Sequence, residues 1–345
     1  MKNLVIISGI AIASGSIGTY MYKEWKKRII APTEASFNNG ITEHFNMIIV
    51  PDLSNRIDTE EKSKPLSDLN IVEGILNDID PIYLKSDRRM MNQQDRFQVG
   101  FTNQKLISKH NINMENLCID FSRFDDNQRS RIDYITGKNT TTNLQQDINK
   151  FKTEFAQTYS KALEDMGGAD IPSFLENLNT SQIKSKGSLK NKKTQDGKTL
   201  VQEYRNVIIL ITDGYIEADK YASDYSSQKV YPNLSEKRIE AFRKDYNERN
   251  NGRTCEVFFS EEAYGINPVQ NELLKEVEIL VLEIDDRSLN ESGNSTKEIS
   301  DYKIIKLFWE DWLTKSGVKR FELFTKASSK SEVQDHVNKF LQINN

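Results

Sequence analysis

From residue 41 onward, short apolar runs alternate with longer stretches in which apolar positions recur at helical spacing. Six of the runs predict strands, at 45–50, 96–102, 117–121, 207–212, 278–284 and 320–325. Several are nearly continuous in Val, Ile and Leu, the pattern of strands buried on both faces. Between them, amphipathic stretches predict helices at 66–78, 143–166, 235–250, 302–316 and 330–342. Ser173-Phe-Leu-Glu176 reads as a capping box for a further short helix, and Ser331-Glu-Val gives the last helix a polar, acidic start. Strand–helix alternation of this kind builds βαβ units. The expected fold is therefore α/β, a doubly wound, mostly parallel sheet flanked by helices.

Three polar stretches interrupt the alternation and are expected as insertions, near 179–204, 215–255 and 285–300. The first predicts a loop or small hairpin leading into the strand at 207. Its lysines (Lys184, Lys186, Lys190, Lys192, Lys193 and Lys198) run without interleaved aromatics, which fits a solvated loop better than a nucleic-acid surface. Trp309 and Trp312, at i, i+3 spacing, are expected to pack their helix onto the sheet.

Ahead of the alternation, residues 1–28 carry an apolar run of about 19 residues, long enough to cross a bilayer as one helix. Residues 29–40 read as a polar linker and 41–345 as the α/β domain with its insertions. Lys23, Lys26, Lys27 and Arg28 follow the apolar run, so a single-pass anchor would leave the main domain on the cytoplasmic side. Ala11-Ile-Ala13 supplies a small-x-small pattern, which keeps a cleaved signal peptide and export open as the alternative.

Composition narrows the chemistry. A net charge of -4 over 345 residues argues against a dedicated nucleic-acid binder. Cys118 and Cys255 are the only cysteines and lie in no C-x-x-C or Cys/His cluster, so reduced thiols are expected rather than zinc or disulfides. No P-loop, G-x-G-x-x-G or H-E-x-x-H is present, and His44, His110 and His336 stand apart from any nucleophile.

The informative chemistry is at two strand ends. His44-Phe-Asn-Met-Ile-Ile-Val-Pro-Asp-Leu-Ser-Asn-Arg56 runs a strand into Asp52 and, two residues on, Ser54. Asn206-Val-Ile-Ile-Leu-Ile-Thr-Asp-Gly214 ends a second strand on Asp213. Ligands of open parallel sheets bind beyond the carboxyl ends of the strands, so these residues can converge despite their separation in sequence. A hard cation such as Mg²⁺ takes oxygen ligands and keeps several waters, and Asp52, Ser54 and Asp213 offer three.

These pieces resemble the metal-ion-dependent adhesion site (MIDAS) of a von Willebrand factor A (vWA) domain. In that family a D-x-S-x-S motif follows the first strand, a Thr comes from a later loop at the start of a helix, and a strand ends in Thr-Asp-Gly. Ile211-Thr-Asp-Gly214 is the closest match, and Thr142 is the candidate for the loop Thr, with Thr140 and Thr141 serving in other registers. The resemblance spans about residues 41–345. It implies a protein-binding module, not an enzyme, holding Mg²⁺ (or Mn²⁺ or Ca²⁺) through Asp52, Ser54, Thr142 and Asp213. Such an ion stays under-neutralised, so the implied protein partner presents an Asp or Glu as its last ligand.

One departure bears on this. Arg56 stands at the second Ser of the motif and Asn55 where Gly is usual. A guanidinium directed at the site would repel a cation and pair with Asp52 or Asp213. A metal-free vWA scaffold that binds through its insertions is thus the alternative. A Mg²⁺-dependent phosphatase of the haloacid-dehalogenase-like kind is the rival enzyme, but it expects a second Asp where Ser54 stands and a Lys that cannot be assigned. As an exposed carboxylate at a strand end, Asp213 is expected to be removable without loss of the fold.

Overall fold

The computed structural model describes residues 41–54, 67–77, 93–125, 127–138, 141–164, 169–193, 197, 199–217, 228–290 and 292–342. The expected anchor and linker at 1–40 lie outside these residues, as do Arg56 and Thr140. Among the described residues no helix is long and apolar enough to cross a membrane.

Among the described residues nine strands form in chain order: β1 (Ile41–Pro51), β2 (Arg96–Val99), β3 (Cys118–Asp120), β4 (Lys192–Lys193), β5 (Thr199–Ile211), β6 (Val230–Tyr231), β7 (Gly265–Ile266), β8 (Val277–Ile284) and β9 (Arg320–Thr325). The main sheet runs β3-β2-β1-β5-β8-β9, with β4 added to β5. Its pairings are parallel except at β2–β3 and β4–β5. It is a mixed, mostly parallel sheet. Along the six-strand path the chain order reverses direction between β1 and β5, and such a reversal opens a crevice at the strand ends.

Helices cover both faces. One face carries α1 (Asp68–Asn77), α4 (Leu144–Glu164) and α9 (Lys330–Leu341), whose Ile71, Phe151, Phe155, Val333 and Val337 pack with Met47, Ile49, Val207 and Ile209. The other carries α5 (Ile171–Glu176), α6 (Glu236–Arg249), α7 (Cys255–Glu261) and α8 (Asp301–Lys315). There Phe174, Phe242, Phe258, Phe308 and Trp309 pack on Ile48, Val50, Ile208 and Leu210. Alternate residues of the same apolar run thus feed opposite cores, which is why the central strands read as continuous Val, Ile and Leu. The shorter α2 (Gln104–His110) and α3 (Gln128–Ile135) flank β3 in sequence.

All six predicted strands and five predicted helices form. Two of the strands begin earlier than the apolar runs suggest. β1 starts at Ile41 and β5 at Thr199, and they pair residue by residue from Ile41 opposite Val201. Two of the polar side chains buried here find partners: His44 Nδ1 accepts from Gln94 N at 3.2 Å, and Asn46 Nδ2 donates to Asn206 Oδ1 at 2.8 Å. The first insertion forms the small hairpin β4–β5, while the second contributes α6 to the sheet's helical cover and β6, which pairs with β7 outside the main sheet.

Caps also shift by two or three residues. Ser173 lies inside α5, whose N-cap is Asp170, accepting from Ser173 N at 3.1 Å. α9 is capped by Ser329, while Glu332 reaches back to Ser328 N at 2.8 Å. Trp309 and Trp312 are fully buried on the sheet, donating Nε1 to Gly214 O at 2.8 Å and Asn267 O at 3.1 Å.

Candidate functional site

β1 and β5 place Pro51 opposite Ile211, so Asp52 and Thr212 leave the sheet side by side at the point where the strand order reverses. Asp52 N donates to Ile211 O at 2.8 Å, continuing the ladder one step beyond the strands. Its carboxylate is 2% exposed. Oδ2 accepts from Thr212 Oγ1 at 2.8 Å, and Oδ1 accepts from Ser54 N at 3.0 Å. Ser54 therefore meets Asp52 through its backbone, in a turn that folds the chain back over the strand end.

Asp213 is also buried, at 5% exposed, and is not the exposed carboxylate expected from its place in the sequence. Oδ1 accepts from Tyr215 N at 3.0 Å, and its carbonyl accepts from Asp285 N at 2.9 Å. Between them Gly214 turns the chain at φ +88°, where a Cβ would stand 2.9 Å from Ile305 Cγ2 and 3.1 Å from Ile284 Cγ2. The glycine of Thr-Asp-Gly is required twice over, by its left-handed backbone and by close packing.

The remaining oxygen of Asp213 is held by a residue that sequence reasoning passed over. Arg287 Nη2 donates to Asp213 Oδ2 at 2.9 Å. Its guanidinium lies over the Tyr215 ring, 4.0 Å from the centroid. Asp285 and Glu236 approach it at 3.7 and 3.8 Å, beyond hydrogen-bonding distance. Lys326 Nζ pairs with Asp285 Oδ1 at 2.7 Å. The ends of β5, β8 and β9 are thereby joined in a chain of alternating charge. The available signal was Asp285-Asp286-Arg287 directly after the predicted strand at 278–284.

Tyr215 fixes one side of this arrangement. Its hydroxyl donates to Asp301 Oδ2 at 3.0 Å, and Arg243 holds the other Asp301 oxygen. Burial, then the Asp301 charge, push the Tyr215 hydroxyl far above its ordinary titration range, so it stays a neutral donor.

The threonine loop is not brought into this set. Thr142 is exposed and, among the described residues, makes no hydrogen bond to Asp52, Ser54 or Asp213. The start of α4 is instead capped by Asn143, which accepts from Gln146 N at 2.9 Å and donates its own N–H to Gln146 Oε1 at 3.2 Å. Thr141 lines a polar groove of about 620 Å³ with Asn116, Gln146, Asn149 and Glu154.

Whether this donor set fits a divalent ion is decided by what its oxygens already do. Both oxygens of Asp52 and both of Asp213 accept hydrogen bonds, one of them from a permanent cation. Among the described residues no group of three or more His, Cys, Asp or Glu converges as metal ligands do. With Arg287 on Asp213, the residues as arranged do not fit the ion. No protein-family model, curated protein or solved structure matches the chain.

Proposed function

We propose that the chain is a vWA-like protein-binding module, not an enzyme, whose partner docks on the C-terminal edge of the sheet, over the junction of β1 and β5. One observation carries the reading: Asp52 bonds Thr212, and Asp213 follows it, at adjacent strand ends where the strand order reverses. In open α/β sheets that crevice is where ligands bind. A doubly wound topology related to vWA domains accounts for the strand order and for the Thr-Asp-Gly turn together.

The partner group is an Asp or Glu side chain, received by Arg287 and Lys326, the two cations of the alternating chain. Arg287 is 30% exposed, and Glu236, which approaches it among the described residues, is 62% exposed. An incoming carboxylate would exchange with Glu236. Exposed ion pairs contribute only about 0–1 kcal/mol, so the exchange sacrifices little. The phosphatase reading has no support from Ser54, which presents a backbone N–H to Asp52 where a second carboxylate would be needed. An anchor at 1–28 would join the domain at Ile41, at the other end of β1 from this edge.

The test is site-directed photo-crosslinking in the full chain, with the reactive side chain at Ser54 or, on the opposite edge of the sheet, at Lys275. Specific adducts from Ser54, suppressed by excess unlabelled chain, are the expected result. Adducts confined to Lys275 would place docking at the other end of the sheet and reject the reading.

A further inference from the structure

We infer that Arg287 is the resident cation of this site, standing where the vWA resemblance calls for a divalent ion, and that the acidic partner group is bound without metal. The inference rests on the reading of the strand ends as the binding edge.

The position of Arg287 follows from the sheet. β5 and β8 are parallel neighbours, paired through Ile211 and Leu282. The pairing continues past both strands through Thr212 N to Leu282 O at 3.0 Å and Asp285 N to Asp213 O at 2.9 Å. Between those two bonds β8 carries an irregularity: it advances from Val281 to Ile284 while β9 advances only from Leu323 to Thr325. The extra residue brings Glu283 to φ +75°, a conformation that side chains other than glycine adopt only under constraint. The constraint is visible, for Glu283 is buried and its Oε1 accepts from Ala327 N at 3.0 Å. A bulge at a strand end re-aims the residues that follow it, and here they run across the end of β5.

The loop that follows is fixed as well. Asp286 Oδ1 accepts from Ser288 N at 3.1 Å and from Asp301 N at 3.2 Å, tying the segment to the start of α8. Thr296 N donates to Ser288 O at 2.7 Å, closing it on itself. With the Tyr215 ring beneath it and Asp213 in front, the guanidinium is held by a cation–π contact and a charge-assisted hydrogen bond together. Such an arrangement is built, and a loose surface arginine would show neither the stacking nor the buried acceptor.

Two consequences follow from the chemistry of a guanidinium. It cannot lose its charge, so it neutralises Asp213 at every working pH, as a bound ion would. Its planar fork also suits a carboxylate, so the ligand class that a divalent ion would select is the one that Arg287 selects directly. A divalent ion beside Asp213 would face a like charge within contact distance, and the site should exclude it.

The experiment is a Mn²⁺ titration of the full chain in detergent micelles, followed by water-proton relaxation, on the wild type, R287A, R287Q and the double variant D213N/R287A. The wild type should show no saturable uptake below about 1 mM, the weak limit for oxygen-ligand cation sites. Removing the guanidinium should tighten Mn²⁺ binding about tenfold or more, and D213N should abolish the gain. Crosslinking from Ser54 should persist in chelator. Saturable, Asp213-dependent uptake by the wild type would overturn the inference, as would arginine variants that remain as metal-blind as the wild type. R287Q guards against misfolding of R287A, and the wild-type titration needs no variant at all. Loss of the Ser54 crosslink with the Mn²⁺ result intact would sink the docking reading while leaving the ion assignment standing.

Discussion

Replacing Asp213 by Ala separates a structural carboxylate from an exposed ligand. In the wild type Oδ1 is the acceptor for Tyr215 N, inside a turn where Tyr215 is itself buried. Removing that acceptor strands a buried N–H, at about 1–3 kcal/mol. The second loss is the charge-assisted bond to Arg287, nominally about 1.5–3 kcal/mol. Arg287 is partly exposed and has Asp285 and Glu236 within 4 Å, so solvent and those carboxylates recover much of it, leaving about 1 kcal/mol. The sum for D213A is about 2–4 kcal/mol of destabilisation. D213N can keep an amide oxygen as the acceptor for Tyr215 N but turns an NH2 donor toward Arg287, so it loses only the second bond and about 1 kcal/mol is expected. Urea denaturation followed by circular dichroism, with unchanged slopes, reads both numbers. If D213A stays within about 0.5 kcal/mol of the wild type, the turn does not depend on the carboxylate and the structural reasoning fails.

Four further expectations can be checked on the same material. G214A combines a disfavoured left-handed backbone with a Cβ forced against Ile305 and Ile284, and should cost about 2–5 kcal/mol in the same urea assay. E278Q should cost about 3–5 kcal/mol, because it breaks a buried pair in which Arg205 holds Glu278 through Nη2–Oε2 at 2.7 Å and caps α9 through Leu341 O at 2.7 Å; hydrogen exchange should then quicken first in α9. Burial pushes the Glu278 carboxyl upward, but bonds and charge from Arg205 and Lys319 outweigh it and leave the value below its ordinary 4.5. The pair's contribution is therefore complete above about pH 4.5 and lost as the pH falls through the lower folded value, so acid titration of stability should lose this step in E278Q. Burial raises the Cys255 thiol to about 11, so an aromatic disulfide reagent at pH 8 should label Cys255 only after denaturant is added, and rapid native labelling would contradict its buried place at the start of α7.

What the sequence discloses here, and what it conceals, follows range of interaction. Strands whose two faces meet two cores are written as continuous apolar runs, and all were legible. The early halves of β1 and β5 were not, because His44 and Arg205 look like loop residues until their partners Gln94 N and Leu341 O are known. Asp52 and Asp213 could be placed together by a topological rule alone, since a reversal of strand order brings their strand ends side by side. Thr142 could not, because Asn143 and Gln146 offer α4 a reciprocal cap that leaves the threonine outside it. Arg56 was suspected of meeting the carboxylates and lies outside the described residues. The arginine seen to do so is 74 positions from Asp213, and only the pairing of β5 with β8 and the bulge at Glu283 reveal it.

The same contacts bear on how such a site would bind. The segment after β5 is held at Gly214 O by Trp309, at the Tyr215 ring by Arg287, and at the Tyr215 hydroxyl by Asp301, which Arg243 secures in turn. These fastenings come from three parts of the chain: α8, which supplies Trp309 and Asp301, the loop after β8, and α6. A site with so many independent supports has little freedom left to lose when a partner arrives, so ordering it subtracts little from the binding energy. A divalent ion would bring its own geometry but would have to be captured from solution. A guanidinium fixed by stacking and an ion pair is present whenever the chain is folded. Binding at this edge should therefore follow the fold's stability rather than ion concentration, and partner affinity should fall in step with any substitution that loosens Tyr215 or the bulge.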